Sequence, residues 1–89
     1  MAEVYFTARL NAVVPGSPHD APGSTVGEAL DAIFARHPLA RGYVLDEQGS
    51  LRQHVCIFLD GARLSNGTAL DTLLQASGEI YVMQALSGG

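Results

Sequence analysis

The 89 residues carry nine acidic and five basic side chains, a net charge of −4, with 47% hydrophobic and 16% charged content. A chain this short builds one core, and the balance suits a folded domain instead of a disordered tail or a basic nucleic-acid binder. Cys56 is the only cysteine, so no disulfide within the chain and no tetrathiolate metal or iron–sulfur site can form.

Lysine is absent: the five cations are Arg9, Arg36, Arg41, Arg52 and Arg63, which leaves the N-terminus as the only primary amine. No apolar run approaches the ~20 residues of a membrane span, and Met1-Ala-Glu-Val lacks the features of a signal peptide. The expectation is a cytoplasmic protein without nucleic-acid or membrane partners.

In chain order, Glu3 to Arg9 is expected as a strand, with Val4, Phe6 and Ala8 at period two. Leu10 to Val14 offers continued pairing, but residues 15–23 carry three prolines and two glycines, so any second strand there is a short edge. Thr25-Val-Gly-Glu28 is a capping box that starts a helix at Val26. Val26, Ala29, Leu30, Ile33 and Phe34 form its apolar stripe, and Pro38 ends it near Arg36.

Leu39 to Tyr43 is expected to be irregular or a single turn, followed by a polar turn at residues 46–50. Leu51 to Leu59 follows as a strand, with Val55, Ile57 and Leu59 on one face and His54, Cys56 and Phe58 on the other. Asp60-Gly61 is a tight turn into Ala62-Arg63-Leu64. Leu70, Leu73 and Leu74 suggest a short helical turn, and Glu79 to Gln84 is the last strand. This order predicts an α+β architecture of the β-grasp type, a mixed sheet packed on one main helix.

Several pieces then line up: Tyr5-Phe-Thr-Ala-Arg-Leu10, Thr25-Val-Gly-Glu-Ala-Leu30, residues 51–61, Gly78-Glu-Ile80 and the terminal Gly88-Gly89. In this order and spacing the chain resembles the ubiquitin-like sulfur carriers, which include the small subunit of molybdopterin synthase and the thiamin-pathway carrier. The resemblance implies a β-grasp domain over residues 1–85 and a flexible tail over 86–89. It implies a reactive carboxylate on Gly89, adenylated by an activating enzyme of the ubiquitin-activating type and converted to a thiocarboxylate by a sulfur donor. A sulfur-accepting enzyme, such as a molybdopterin synthase large subunit, would then take the sulfur for molybdopterin, thiamin, cysteine or related biosynthesis. Gly88 would thread a narrow channel, because glycine lacks Cβ.

On that reading the chain is a protein cosubstrate and not an enzyme. It has no phosphate-cradling loop followed by Lys-Ser/Thr, so ATP and Mg belong to the activating partner, and no cofactor or metal is bound here. Alternation puts Tyr81 and Met83 opposite Ile80 and Val82, where Phe58 joins them; with Leu86 these are the candidate partner-binding residues, ordinary partial burial being the other reading. Cys56 is expected as a small buried hydrophobe, with a persulfide relay or redox switch as the alternative. His19, His37 and His54 lack metal-ligand spacing and fit surface or helix-end positions. Two alternative functions remain: a ubiquitin-like modifier conjugated through Gly89 to target amines, and a non-catalytic β-grasp interaction domain.

Overall fold

The computed structural model describes residues 2–7, 10, 12–16, 18–75 and 77–84. In chain order it contains β1 (Ala2–Phe6), β2 (His19–Ala21), α1 (Val26–Arg36), α2 (Pro38–Val44), β3 (Val55–Leu59), β4 (Ala62–Arg63), a 3-10 turn (Ala69–Asp71) and β5 (Glu79–Gln84). The strands form one mixed sheet in the order β2-β1-β5-β3-β4. β5, last in the chain, is central: it pairs parallel with β1 and antiparallel with β3.

Period two decides the faces. Val4, Phe6, Val55, Ile57, Ile80 and Val82 are buried on the inner face, where they meet Val26, Ala29, Leu30, Ile33 and Phe34 of α1. Each fully buried aliphatic side chain here contributes about 1.5–3 kcal/mol through removal from water. The cap of α1 is formed as expected: the Glu28 amide donates to Thr25 Oγ1 at 3.2 Å, and the Ser24 amide donates to Glu28 Oε1 at 2.7 Å. Gly23 lies just before this cap with φ +145°, and a Cβ there would stand 2.8 Å from the Ala29 nitrogen. At that position the close approach of chain and helix start requires glycine.

Three segments differ from expectation. Where Leu10 to Val14 was expected to continue pairing, residues 12–14 turn: the Val13 and Val14 amides both donate to the Leu10 carbonyl. The segment expected as irregular or a single turn from Leu39 to Tyr43 is part of the seven-residue α2: Pro38 stops α1 but occupies the first turn of a second helix, where its missing N–H costs nothing. Ala40 and Val44, one turn apart, anchor α2 on the core. The strand expected from Leu51 begins only at Val55, since the Val55 amide donates to the Arg52 carbonyl in a turn and Leu51 bridges Leu45.

The short helical turn expected around Leu70, Leu73 and Leu74 is present as the 3-10 turn Ala69–Asp71, with Ala69 buried and Leu70 and Leu74 packed against the core. Leu73 is 76% exposed because its backbone bridges Thr25.

The two-residue turn joining β3 to β4 has φ 51° at Asp60 and 89° at Gly61, the doubly positive geometry of the twisted hairpin. At the other end of the sheet, the His19 ring lies edge-on between Phe6 (5.9 Å) and His37 (5.4 Å), joining edge strand β2 to the α1–α2 junction.

Candidate functional site

The outer face of the sheet, opposite the core packed on α1, is built from the alternate residues of each strand. Register sorts these residues into cross-strand rows. Tyr5 of β1 lies opposite Tyr81 of β5, which lies opposite Phe58 of β3, which lies opposite Arg63 of β4. One step toward the C-terminal end of β5, Met83 lies opposite Cys56. One step the other way, Asp20 of β2 lies opposite Glu3 of β1, which lies opposite Glu79 of β5. Asp60 completes that end: its amide donates to the Glu79 carbonyl and its carboxylate accepts from the Glu79 amide, each at 2.9 Å.

Of the candidate partner-binding residues, Phe58, Tyr81 and Met83 share this one face. Tyr81 and Met83 are each 38% exposed, and Phe58 is half-buried beside them. Leu86, Gly88 and Gly89 lie outside the described residues, as does the boundary expected at residue 85. Tyr5 is not in the expected patch although period two places it there, and it stacks on Tyr81. The rings stack at 4.5 Å between centroids and 8° between planes.

Partial desolvation of the Tyr5 ring pushes its phenol above the ordinary value, and the carboxylates of Glu3 and Glu79 push in the same direction. Cys56 is half-buried on this outer face, not in the core as expected.

Elsewhere, α2 exposes Leu39 and Tyr43 one turn apart, in the segment expected as irregular or a single turn. Among the described residues no group of three or more His, Cys, Asp or Glu side chains is placed to hold a metal ion. None of the described helices is long and apolar enough to cross a membrane. This region is an exposed aromatic and thioether surface bordered by carboxylates, with the central strand β5 running through it.

The chain is 32% identical over 66 residues to small archaeal modifier protein 1 of Haloferax volcanii, an alignment spanning 74% of this chain and 71% of that one. It belongs to the ubiquitin-like β-grasp family of sulfur carriers and protein modifiers. The crystal structure of the same Haloferax protein superposes with a TM-score of 0.80 at 28% identity, covering 99% of this chain and 98% of that one. A chain of the Amycolatopsis orientalis BexX/CysO complex matches over the full length of both with a TM-score of 0.86 at 19% identity, a likeness of fold. No family model matches the chain. As a member of this family it carries the expected β-grasp sheet, with a second helix in addition to the main one.

Proposed function

We propose that the chain is a sulfur carrier whose Gly89 carboxylate is adenylated by an activating enzyme and then converted to a thiocarboxylate. The observation that carries this reading is the position of β5. The strand lies at the centre of the sheet, paired on both sides, and ends at Gln84, five residues before Gly89. A chain leaving a clamped central strand has a fixed origin, and Leu86 to Gly89 reaches roughly 13 Å when extended.

The chemistry at the end is an acyl transfer. The carboxylate attacks the α-phosphate of ATP and releases pyrophosphate. Sulfide sulfur from a donor then adds to the acyl carbon and AMP leaves, so that one carboxylate oxygen is replaced by sulfur. ATP and Mg are held by the partner, and the sulfur passes to an accepting enzyme of molybdopterin, thiamin, cysteine or related synthesis. Tyr81, Met83 and Phe58 give the partner a surface to hold, and methionine adapts to more than one such partner.

Family membership equally supports a modifier, in which a target amine replaces sulfur as the nucleophile on the same adenylate. Intact-mass measurement after incubation with an adenylating enzyme, ATP and a sulfur donor separates the two. An oxygen-to-sulfur mass exchange confined to Gly89 is expected, and deletion of Gly88-Gly89 abolishes it while the far-UV spectrum and Tm are retained. Amide-linked conjugates without any thiocarboxylate would overturn the carrier reading in favour of the modifier.

A further inference from the structure

The last two residues of β5 are held on one side only. Pairing with β1 ends at Phe6↔Val82, and the Thr7 amide closes that ladder by donating to the Val82 carbonyl at 3.2 Å. Among the described residues Met83 and Gln84 then have strand partners in β3 alone, Cys56 and Val55, the last two pairs of the β3–β5 ladder. That end of β3 is itself short of support. β4 pairs with Leu59 and Phe58, and the Leu64 amide carries the contact on to the Ile57 carbonyl at 2.9 Å. The buried Val55 lies one step beyond the reach of β4.

One side chain fills the gap. Ala62 pairs with Leu59 and Leu64 bonds to Ile57, so the same antiparallel register continued by two residues brings Asn66 to Val55. There Asn66 Nδ2, not a strand amide, donates to the Val55 carbonyl at 2.9 Å. A carbonyl can only accept, so the amide nitrogen is the atom turned toward it. A turn places the residue: the Thr68 amide donates to the Ser65 carbonyl at 3.0 Å, with Asn66 and Gly67 between them. Asn66 is half-buried, and without it the carbonyl of a buried residue would be left desolvated and unpaired.

We propose that Asn66 is a positioning residue for the tail: its side-chain amide stands in for the missing backbone of β4, holds Val55 in line, and through Val55 and Cys56 fixes the end of β5 from which the tail departs. The role rests on the reading above in that a tail beyond Gln84 is adenylated. A fixed departure point confines the carboxylate to the region that a partner's nucleotide site must meet. A loosened one spreads the same tail over more space and lowers its effective concentration at that site. Phe58 and Tyr81 of the docking surface stand further along the ladder, so binding of the folded body changes little.

The test uses the full chain. Asn66→Ala and Asn66→Asp both remove the donor, and Thr25→Ala, which removes the α1 cap, is a control of similar cost to stability. Amide exchange is expected to quicken about tenfold at Cys56 and Met83 in the Asn66 variants, while Phe58 and Tyr81 change no more than in Thr25→Ala. Adenylation is followed as pyrophosphate release with the adenylating enzyme, well below each Tm and at varied chain concentration. The Asn66 variants are expected to lose about fivefold in kcat with KM within about twofold, and Thr25→Ala to leave both within about twofold.

Unchanged exchange at Cys56 and Met83 overturns the proposal. So does quickened exchange with an unchanged kcat, which would make the contact structural only, and so does a kcat that falls with Tm alike in all three variants. The reading beneath it fails differently. Pyrophosphate release without thiocarboxylate removes the sulfur carrier and leaves Asn66 in its role, whereas a parent chain that no adenylating enzyme of its organism turns over removes the reactive tail and the role of Asn66 with it.

Discussion

Replacing Tyr5 and Tyr81 by leucine, singly and together, measures how firmly the docking face is held before any partner arrives. The rings are nearly parallel, with centroids 4.5 Å apart. Planes in van der Waals contact at about 3.5–4.0 Å then require a lateral offset of roughly 2–3 Å. Offset stacking is the favourable arrangement, worth about 0.5–1.5 kcal/mol beyond the area buried. Leucine keeps much of the apolar area, so the coupling energy from the double-mutant cycle isolates the ring–ring contribution.

A domain of this length has an unfolding entropy of roughly 190 cal/mol/K, which makes 1 kcal/mol about 5 °C of Tm. The cycle is therefore expected to deviate from additivity by about 3–8 °C, read by thermal and urea unfolding followed by circular dichroism. Additivity within about 0.3 kcal/mol would refute the idea that Tyr5 holds Tyr81 in place. If the reasoning holds, Tyr5→Leu also weakens association with the activating enzyme, because a preorganised Tyr81 loses less side-chain entropy on binding.

Two further outcomes follow from backbone and ionisation. Gly23→Ala is expected to cost about 2–4 kcal/mol, from positive-φ strain together with a Cβ pressed against the first turn of α1. Gly61→Ala, also at positive φ but with open space around it, should cost about 1 kcal/mol; equal losses in urea titrations would contradict this account. The folded Tyr5 phenol ionises above its unfolded value, so its contribution to stability is fully present below the unfolded pKa and lost as pH rises through the folded one. Tyrosinate absorbance and unfolding curves across the alkaline range should show this loss in the parent and a smaller loss in Tyr5→Phe, and equal losses would argue against it.

Local chemistry made much of the fold legible in the sequence. The capping box, the apolar stripe of α1, the alternation of β5 and the Asp60-Gly61 turn are each set by residues within a few positions of one another, and each stands in the structure where it was expected. Other features depend on partners far away in the chain. Pro38 is a stop signal for α1 and an acceptable first-turn residue for α2, and only the core beneath Ala40 and Val44 decides which effect dominates. Leu73 matches a helical spacing but is turned outward because its backbone bridges Thr25, 48 positions earlier.

The same distinction applies to the site. Phe58, Tyr81 and Met83 were visible by alternation, whereas their neighbour Tyr5 comes from the other end of the chain and joins them only through the parallel β1–β5 register. The carboxylate row of Asp20, Glu3 and Glu79 needs the registers of several strands at once, and no local pattern in the sequence reports them.

The parallel pairing of β1 with β5 also has a mechanical side. A pull applied at Gln84 along the strand axis drags β5 lengthwise against β1 on one flank and β3 on the other. Both ladders are then loaded in shear, so their hydrogen bonds resist together instead of opening one after another. An edge strand in a hairpin would peel under the same load. The domain can thus be tugged by its C-terminal end, as when a seated tail is withdrawn from a tight channel, with its fold acting as a grip.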